Sequence, residues 1–322
     1  MKIIALIAFK NEEQFLKYLL PQLSEVCDII LGHDDNSIDK SREIFTGFGG
    51  VLIPQSRSLQ WGNGGEYQVR NALLKAGREN GGTHFICLDA DELFTSDILS
   101  DLPELISRLQ PGSALSLKWI SCWAGKNDET LVYEPNSIIY KDFIFADDIG
   151  LEFPVGLFHI SRTPTNSNLH IISNVNGGVL HLQNLNYENF LAKQLWYQLS
   201  EVVFSNHPYY YLDHKYIAIT KKPGDLLTLN PGWIGETPMP ISNSKLSVHW
   251  KQAILKMLQE VPMDKIEYLE LWRHPILARI FEETYGVLPR KKTLLISVFE
   301  KVKLRIFLSR AWLANRRVRN AK

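Results

Sequence analysis

His84-Phe85-Ile86-Cys87-Leu88-Asp89-Ala90-Asp91-Glu92 is an apolar run that ends abruptly in acids. The apolar part fits a strand buried on both faces, so the acids stand where that strand stops. In extended chain, residues i and i+2 project to the same side, so Asp89 and Asp91 are expected to present two carboxylates to one divalent ion. Hard oxygen donors suit Mg2+ or Mn2+, which commonly take one or two carboxylates together with substrate phosphates. An isolated Asp-x-Asp is a weak signal that reads more readily as an acidic turn, and the surrounding sequence is what raises the metal reading above it.

Upstream, the pattern alternates between buried strands and amphipathic helices. Ile3–Phe9 is a continuous apolar run. Residues Glu12–Val26 carry Phe15, Leu16, Leu19, Leu20 and Leu23 at helical spacing, with Pro21 expected to kink or restart the helix. Asp28–His33 is a second strand. Ser37 or Asp39 can cap a helix through Phe45, and Gly47, Gly49 and Gly50 turn the chain into a third strand at Val51–Pro54. A helix over Glu66–Asn80, ended by Gly81-Gly82, leads into the strand Thr83–Leu88. Such a strand–helix order predicts an α/β fold with a mostly parallel sheet, flanked by helices and joined by right-handed crossovers. Ligands of these sheets bind beyond the carboxyl ends of the strands. Polar residues collect at those ends: Asn11 and Glu12, then Asp34, Asp35, Asn36, Ser37 and Asp39, then Asp89, Asp91 and Glu92. Capping and turn chemistry accounts for single members such as Ser37 and Asp39. A whole cluster of carboxylates repels itself unless a cation or a donor-rich ligand joins it.

Four pieces taken together resemble the large family 2 group of glycosyltransferases, with its GT-A, Rossmann-like nucleotide-sugar-binding fold. Asn11-Glu12-Glu13 resembles the family's NE after strand one, and Asp34-Asp35-Asn36-Ser37-Ile38-Asp39 its DDxSxD. Gly65 through Val69-Arg70-Asn71 resembles its G…ARN helix, and Asp89-Ala90-Asp91 its D-x-D metal motif. The resemblance covers about residues 1–125. It implies transfer of a sugar from a nucleotide-diphosphate donor, with UDP-sugar expected, and a Mn2+ or Mg2+ cofactor. It further implies that Asp35 or Asp34 accepts from the donor base, that Asp91 holds the ion bridging the phosphates, and that Asp89 lies close to ion and ribose. Arg70 and Asn71 would border the nucleotide pocket, although Arg70 reads equally as a structural ion pair. An inverting transferase needs a carboxylate base for the acceptor hydroxyl. In the family this lies downstream of D-x-D, where Asp148, Glu152 and Asp147 are the available acids. His181, alternating out of Val179–Leu182, is read either as a core histidine or as a third metal ligand. His159 is a weaker candidate. Trp61, Trp119, Trp123 and Trp196 could stack on sugars, with core packing the default.

Further along, Ala114–Trp123, Ile138–Phe145 and Val179–Leu182 look like strands of a mixed sheet. Tyr187–Phe204 looks like a helix, Leu226–Ser242 like a loop, and the remainder mostly helical. The expected division is a GT-A domain over residues 1–240 (a nucleotide-sugar half to 125, an acceptor half from 126) and a helical region over 241–322. Cys27, Cys87 and Cys122 sit among apolar residues and read as buried free thiols in a reducing compartment. Net charge is zero over 322 residues, but Arg290–Lys322 holds eleven Lys/Arg and one acid, leaving 24 bases against 34 acids before it. Leu295, Phe299, Val302, Ile306 and Leu313 recur there at helical spacing among basic residues, pointing to a packed terminal helix or to one lying on an anionic membrane face. No stretch reaches the roughly 20 apolar residues of a spanning helix, so a cytoplasmic protein, peripheral at most, is expected. The expected partners are the nucleotide-sugar donor, a cell-envelope glycan or lipid-linked acceptor, and that membrane surface, with no nucleic acid. Two other classes fit less well. A nucleotidyltransferase would carry a Gly-rich loop where Phe9-Lys10-Asn11-Glu12-Glu13 stands, and a non-catalytic sugar-nucleotide-binding subunit would not need the carboxylate pair.

Overall fold

Ile3–Phe9 forms β1, and every residue of it but Ala8 is buried, because both faces of the strand are covered. Its odd-numbered side chains join one core with Phe15, Leu16, Leu19, Leu20 and Leu23 of α1 (Glu13–Val26). Ile4 and Leu6 join a second core with Val69, Leu73 and Leu74 of α3 (Glu66–Glu79). The structure is a computed structural model that describes residues 1–54, 65–125, 130–156, 160–164, 169–172, 175–205, 207–219, 224–235, 246–261, 275–288, 298–299, 301–307 and 309. It divides into two compact units, Met1–Tyr187 with Pro223–Asn243, and Glu188–Lys222 with Ser244–Lys322.

In the first unit β1 is flanked by β2 (Ile29–Asp34) and β4 (His84–Ile86), and β3 (Val51–Leu52) lies outside β2, all of them parallel. α2 (Ser41–Gly47) joins β2 to β3. α1 runs unbroken through Pro21, so the expected kink does not divide it. Proline removes a single helix hydrogen bond, and the five buried residues of the apolar stripe hold the two halves in line. α3 packs closely on the sheet: a Cβ on Gly77 would lie 2.4 Å from the Phe85 ring. A side chain there would push the helix off the strand that leads to Asp89.

Beyond β4 the sheet changes direction. β8 (Ile139–Ala146) pairs antiparallel with β4, and the long β6 (Ser113–Ala124) pairs antiparallel with β8. β9 (Leu169–Ile172) and β10 (Val179–Asn184) run parallel to β6 on its other side. Short strands β5 (Glu92–Phe94), β7 (Leu131–Tyr133) and β11 (Leu227–Thr228) complete it, with α4 (Ser96–Ser107) packed on one face. The result is a mixed α/β fold whose central sheet is flanked by helices. β11 and a 3-10 turn at Pro231–Trp233 give regular structure to part of the stretch expected to be loop.

The second unit is helical. α5 (Tyr187–Phe204) begins at its boundary and has the expected span, followed by α6 (Tyr209–Ile219), α7 (Val248–Glu260) and α8 (Pro275–Tyr285). The buried carboxylate of Glu201 accepts from Tyr216 and Lys215, both at 2.5 Å, tying α5 to α6. All three cysteines are free; Cys87 and Cys122 are fully buried and Cys27 is half-buried. Burial pushes each thiol up to about 12.

Candidate active site

Register sets the site. Phe9 is level with Asp34 across β1 and β2, and Ala8 is level with Asp89 on the opposite flank. The ends of three neighbouring strands therefore stop at nearly one height, and adjacent strands lie about 4.8 Å apart. Sequence-distant acids are brought to one edge by parallel pairing alone.

The two loops after β1 and β2 are knitted together. Asn11 and Asn36 both adopt left-handed backbone, with φ of 55° and 58°. Asparagine tolerates this conformation better than most residues. Asn11 donates its backbone N–H to Ser37 Oγ at 2.9 Å and accepts at Oδ1 from the Ile38 N–H at 2.8 Å. The Glu12 and Glu13 N–H groups donate to Ser41 Oγ and Asp39 Oδ2. Ser37 thus serves the first loop rather than capping α2, while Asp39 accepts from the Ser41 N–H at the start of that helix. The loops hold two buried carboxylates. Asp34 accepts from its own turn at Ser37 N and from Arg42, and Asp35 accepts from Lys10 at 3.1 Å.

After β4 the chain builds a denser cluster. Asp89 Oδ1 accepts from Arg70 at 3.2 Å, and Arg70 also donates to Glu66 one helical turn earlier. Asp89 Oδ2 accepts from Arg162, whose guanidinium simultaneously grips Glu92. Glu92 is fully buried, receives the Asp89 N–H at 2.9 Å, and accepts the Trp119 indole N–H at 2.7 Å. Burial pushes its carboxyl up to about 7, with Arg162 pulling the other way. Burial also opposes the charge on Arg162, but Asp89 and Glu92 outweigh it and raise the guanidinium further. Asp91 turns elsewhere. Its Oδ2 lies 3.7 Å from His181 Nε2, both side chains nearly sealed, and its carbonyl takes the Leu182 N–H. The His181 ring is stacked on Trp119 with centroids 4.4 Å apart.

Asp89 is bracketed by Arg70 and Arg162, and Asp91 lies beside His181. Asn71 clasps the backbone of Phe153, donating to its carbonyl at 3.1 Å and accepting its N–H at 2.8 Å. Its side chain is thereby given to holding residues 151–153 along α3. Asp147 and Asp148 are placed away from the strand-end cluster. Because β8 runs antiparallel to β4, its end lies beside Thr83, at the start of β4 and not beyond its carboxyl end. There Asp147 takes both donors of Arg78 at 2.8 Å, and Arg78 also binds the Leu151 carbonyl. Asp148 accepts the N–H of Ile149. Glu152 is exposed between buried Leu151 and Phe153, on the segment that Asn71 draws back toward Arg70. Trp123 lies 6.0 Å from the Tyr187 ring, and Trp196 lies on α5 beside Tyr197. His159 and Trp61 lie outside the described residues. Arg162, Lys141 and the clamp role of Glu92 went unread in the sequence. Arg162 sits in an irregular stretch with no periodic signal, and Lys141 looks like any outward residue of an alternating strand.

Among the described residues, no group of three or more His, Cys, Asp and Glu is arranged around a common point for a metal ion. The donor chemistry nevertheless fits one at Asp91 and His181. Two ligands about 2.1 Å from a shared ion stand roughly 3–4 Å apart, which their 3.7 Å separation matches. Both oxygens of Asp89 are already occupied by guanidinium donors, so that carboxylate is the poorer ligand.

No family model matches the chain, and no curated protein sequence matches it. Solved structures give distant likenesses. TarS residues 1–349 from S. aureus, in complex with UDP, is 15% identical with a TM-score of 0.41, covering 88% of each chain. The same protein with UDP-GlcNAc is 14% identical with a TM-score of 0.38 over the same shares. Glucosyl-3-phosphoglycerate synthase from Mycobacterium tuberculosis, with Mn2+, UDP and glucosyl-3-phosphoglycerate, is 15% identical with a TM-score of 0.26, covering 40% of this chain and 46% of its own. The fold described above stands on strand order and register, independently of these likenesses.

Proposed function

We propose that the chain is a glycosyltransferase of GT-A type, moving a sugar from a UDP-sugar donor to a hydroxyl acceptor. The observation that supports this most is the set of strand ends at one edge, where Asp34 and Asp35 end β2 while Asp89, Asp91 and Glu92 follow β4 among Arg70 and Arg162. Acids at the β2 end suit the N–H groups of a base, and cations around the β4 end suit phosphates. Asp35, whose carboxylate is held by Lys10, is assigned the uracil N3–H, with Asp34 fixing the turn beneath it. Asp91 and His181 would hold a divalent ion, Mn2+ or Mg2+, which when bound neutralises charge on the departing diphosphate. Arg70 and Arg162 orient Asp89 for the ribose side of the donor.

In an inverting transfer the acceptor oxygen bonds to the anomeric carbon as the bond to the diphosphate breaks, and the acceptor proton passes to a carboxylate. Glu152 is the base we assign, since its neighbour Phe153 is clasped by Asn71 and lies 6.0 Å from Arg70, the partner of Asp89. The acceptor is read as a cell-envelope glycan or lipid-linked sugar on a cytoplasmic membrane face. Phe299, Val302 and Ile306 support this, each at least 50% exposed on helical residues interleaved with Lys301, Lys303 and Arg305. Among the described residues no helix is long and apolar enough to cross a membrane. Leu295 and Leu313 of the same stripe lie outside the described residues.

Calorimetry of UDP with and without Mn2+, on the wild type and Asp91→Asn, tests the reading. The wild type should bind UDP more tightly with Mn2+, and the variant should keep its fold but lose that increment. A wild type that ignores UDP under both conditions, and hydrolyses no UDP-sugar, would sink the assignment.

A further inference from the structure

Lys141 lies on β8, level with Leu117 of β6, and its ammonium sits 3.3 Å from the centroid of the Trp119 ring. The side chain is half-buried. Among the described residues it meets no hydrogen-bond acceptor and no carboxylate at ion-pair distance. The neighbouring acids have other partners: Asp89 has Arg70 and Arg162, Glu92 has Arg162 and Trp119, and Asp91 faces His181. Burial, and then the like charge of Arg162, bring the Lys141 ammonium down to about 8. A π-face recovers part of the cost of desolvating an ammonium, but it satisfies none of its N–H groups as an anionic oxygen would.

Sheet order says which part of a ligand could reach it. The strands run β8-β4-β1-β2, so Lys141 stands three strand spacings, about 14 Å, from the Asp34–Asp35 end of β2, with Asp89 between. An extended nucleoside diphosphate with its base at β2 has its phosphates over β4 and β8. Trp119 fixes the platform, since its N–H is held by Glu92 and its ring is stacked on His181. Resting on the glycosyltransferase reading, we propose that Lys141, seated on Trp119, is an anion-receiving group that binds a phosphate oxygen. That oxygen comes from the donor's diphosphate or from a phosphate borne by the acceptor.

Lys141→Met keeps the aliphatic stem on Trp119 and removes the charge, and Lys141→Arg restores a cation. The probes are UDP and uridine, titrated by calorimetry in the presence of Mn2+, and inorganic phosphate titrated onto the UDP-saturated protein. The expected result is a loss of about tenfold in UDP affinity for Lys141→Met, unchanged uridine affinity, and recovery in Lys141→Arg. A loss confined to inorganic phosphate would support the assignment and place the anion on the acceptor. A wild type that binds UDP, with a folded Lys141→Met variant equal to it for both UDP and phosphate, would overturn the Lys141 assignment alone. A wild type that binds no UDP would bring down the glycosyltransferase reading on which it rests.

Discussion

The indole of Trp119 is stacked on the imidazole of His181, with ring centroids 4.4 Å apart and planes 30° from parallel. The same indole donates to the fully buried Glu92 at 2.7 Å. One aromatic residue therefore fixes both the histidine beside Asp91 and the acid that anchors Arg162. Trp119→Phe preserves the stacking and deletes the donor, leaving Glu92 one hydrogen bond short. Removing one partner from a buried acceptor costs about 1–3 kcal/mol, so denaturant unfolding should show a lower midpoint by that amount at unchanged slope. An unchanged midpoint would mean that Arg162 and the Asp89 N–H satisfy Glu92 without the indole.

Asp35 and Asp34 differ in what holds them, and their variants should differ too. Asp35→Asn weakens the acceptor assigned to uracil and should lower UDP affinity by about 1.5–3 kcal/mol, read by calorimetry. Asp34→Asn loses its ion pair with Arg42 and part of the turn bond from Ser37, and should act mainly on thermal stability. Equal UDP affinity in the wild type and in both variants would remove the base-pocket assignment.

Arg78 closes the far edge of the sheet by binding Asp147 and the Leu151 carbonyl. Arg78→Ala leaves those acceptors without their donor and should destabilise by about 1–3 kcal/mol. Asp147→Ala should lower stability in the same way yet leave UDP binding and sugar transfer intact. Loss of transfer in a folded Asp147→Ala protein would return that residue to the list of bases. Glu152→Gln should do the reverse, keeping stability and UDP affinity while abolishing transfer.

The exposed stripe of Phe299, Val302 and Ile306, flanked by Lys301, Lys303 and Arg305, should bring the protein down with anionic liposomes and not with neutral ones. Each basic residue near such a surface contributes about 1 kcal/mol, screened by salt. Replacing the three apolar residues with Ser should abolish co-sedimentation. Equal recovery with both liposome types at low ionic strength would sink the anionic-membrane reading of the stripe.

The thiols give a pH-dependent prediction. Folded Cys87 and Cys122 keep their protons up to about 12, whereas the unfolded chain releases them near the usual 9.0. Between those values the native state binds more protons, so stability falls as pH rises through that window. At pH 8.5 an alkylating reagent should modify neither residue until denaturant is added, with mass spectrometry as the readout. Rapid labelling of Cys87 in the native protein would contradict its burial.

Much of the strand-end cluster was legible in the chain itself. The apolar run Ile3–Phe9, the strand ending at Asp89, and the helix carrying Arg70 all follow from periodicity, which reports the face a residue buries and where a segment stops. That was enough to put Asn11, Asp34, Asp35 and Asp89 at one edge of a parallel sheet. Periodicity says nothing about which segments become neighbours or in which direction a strand runs. Ile139–Ala146 reads the same in either sense, and only its antiparallel pairing with β4 carries Asp147 and Asp148 away from the acid cluster. Arg162 reaches Glu92 across 70 residues of sequence, and Lys141 reaches Trp119 from an adjacent strand. Local sequence determined the acids, because strand ends are local events. Tertiary structure alone decided their counter-charges, because electrostatic partners are chosen by distance in space and the pairing that sets those distances is non-local.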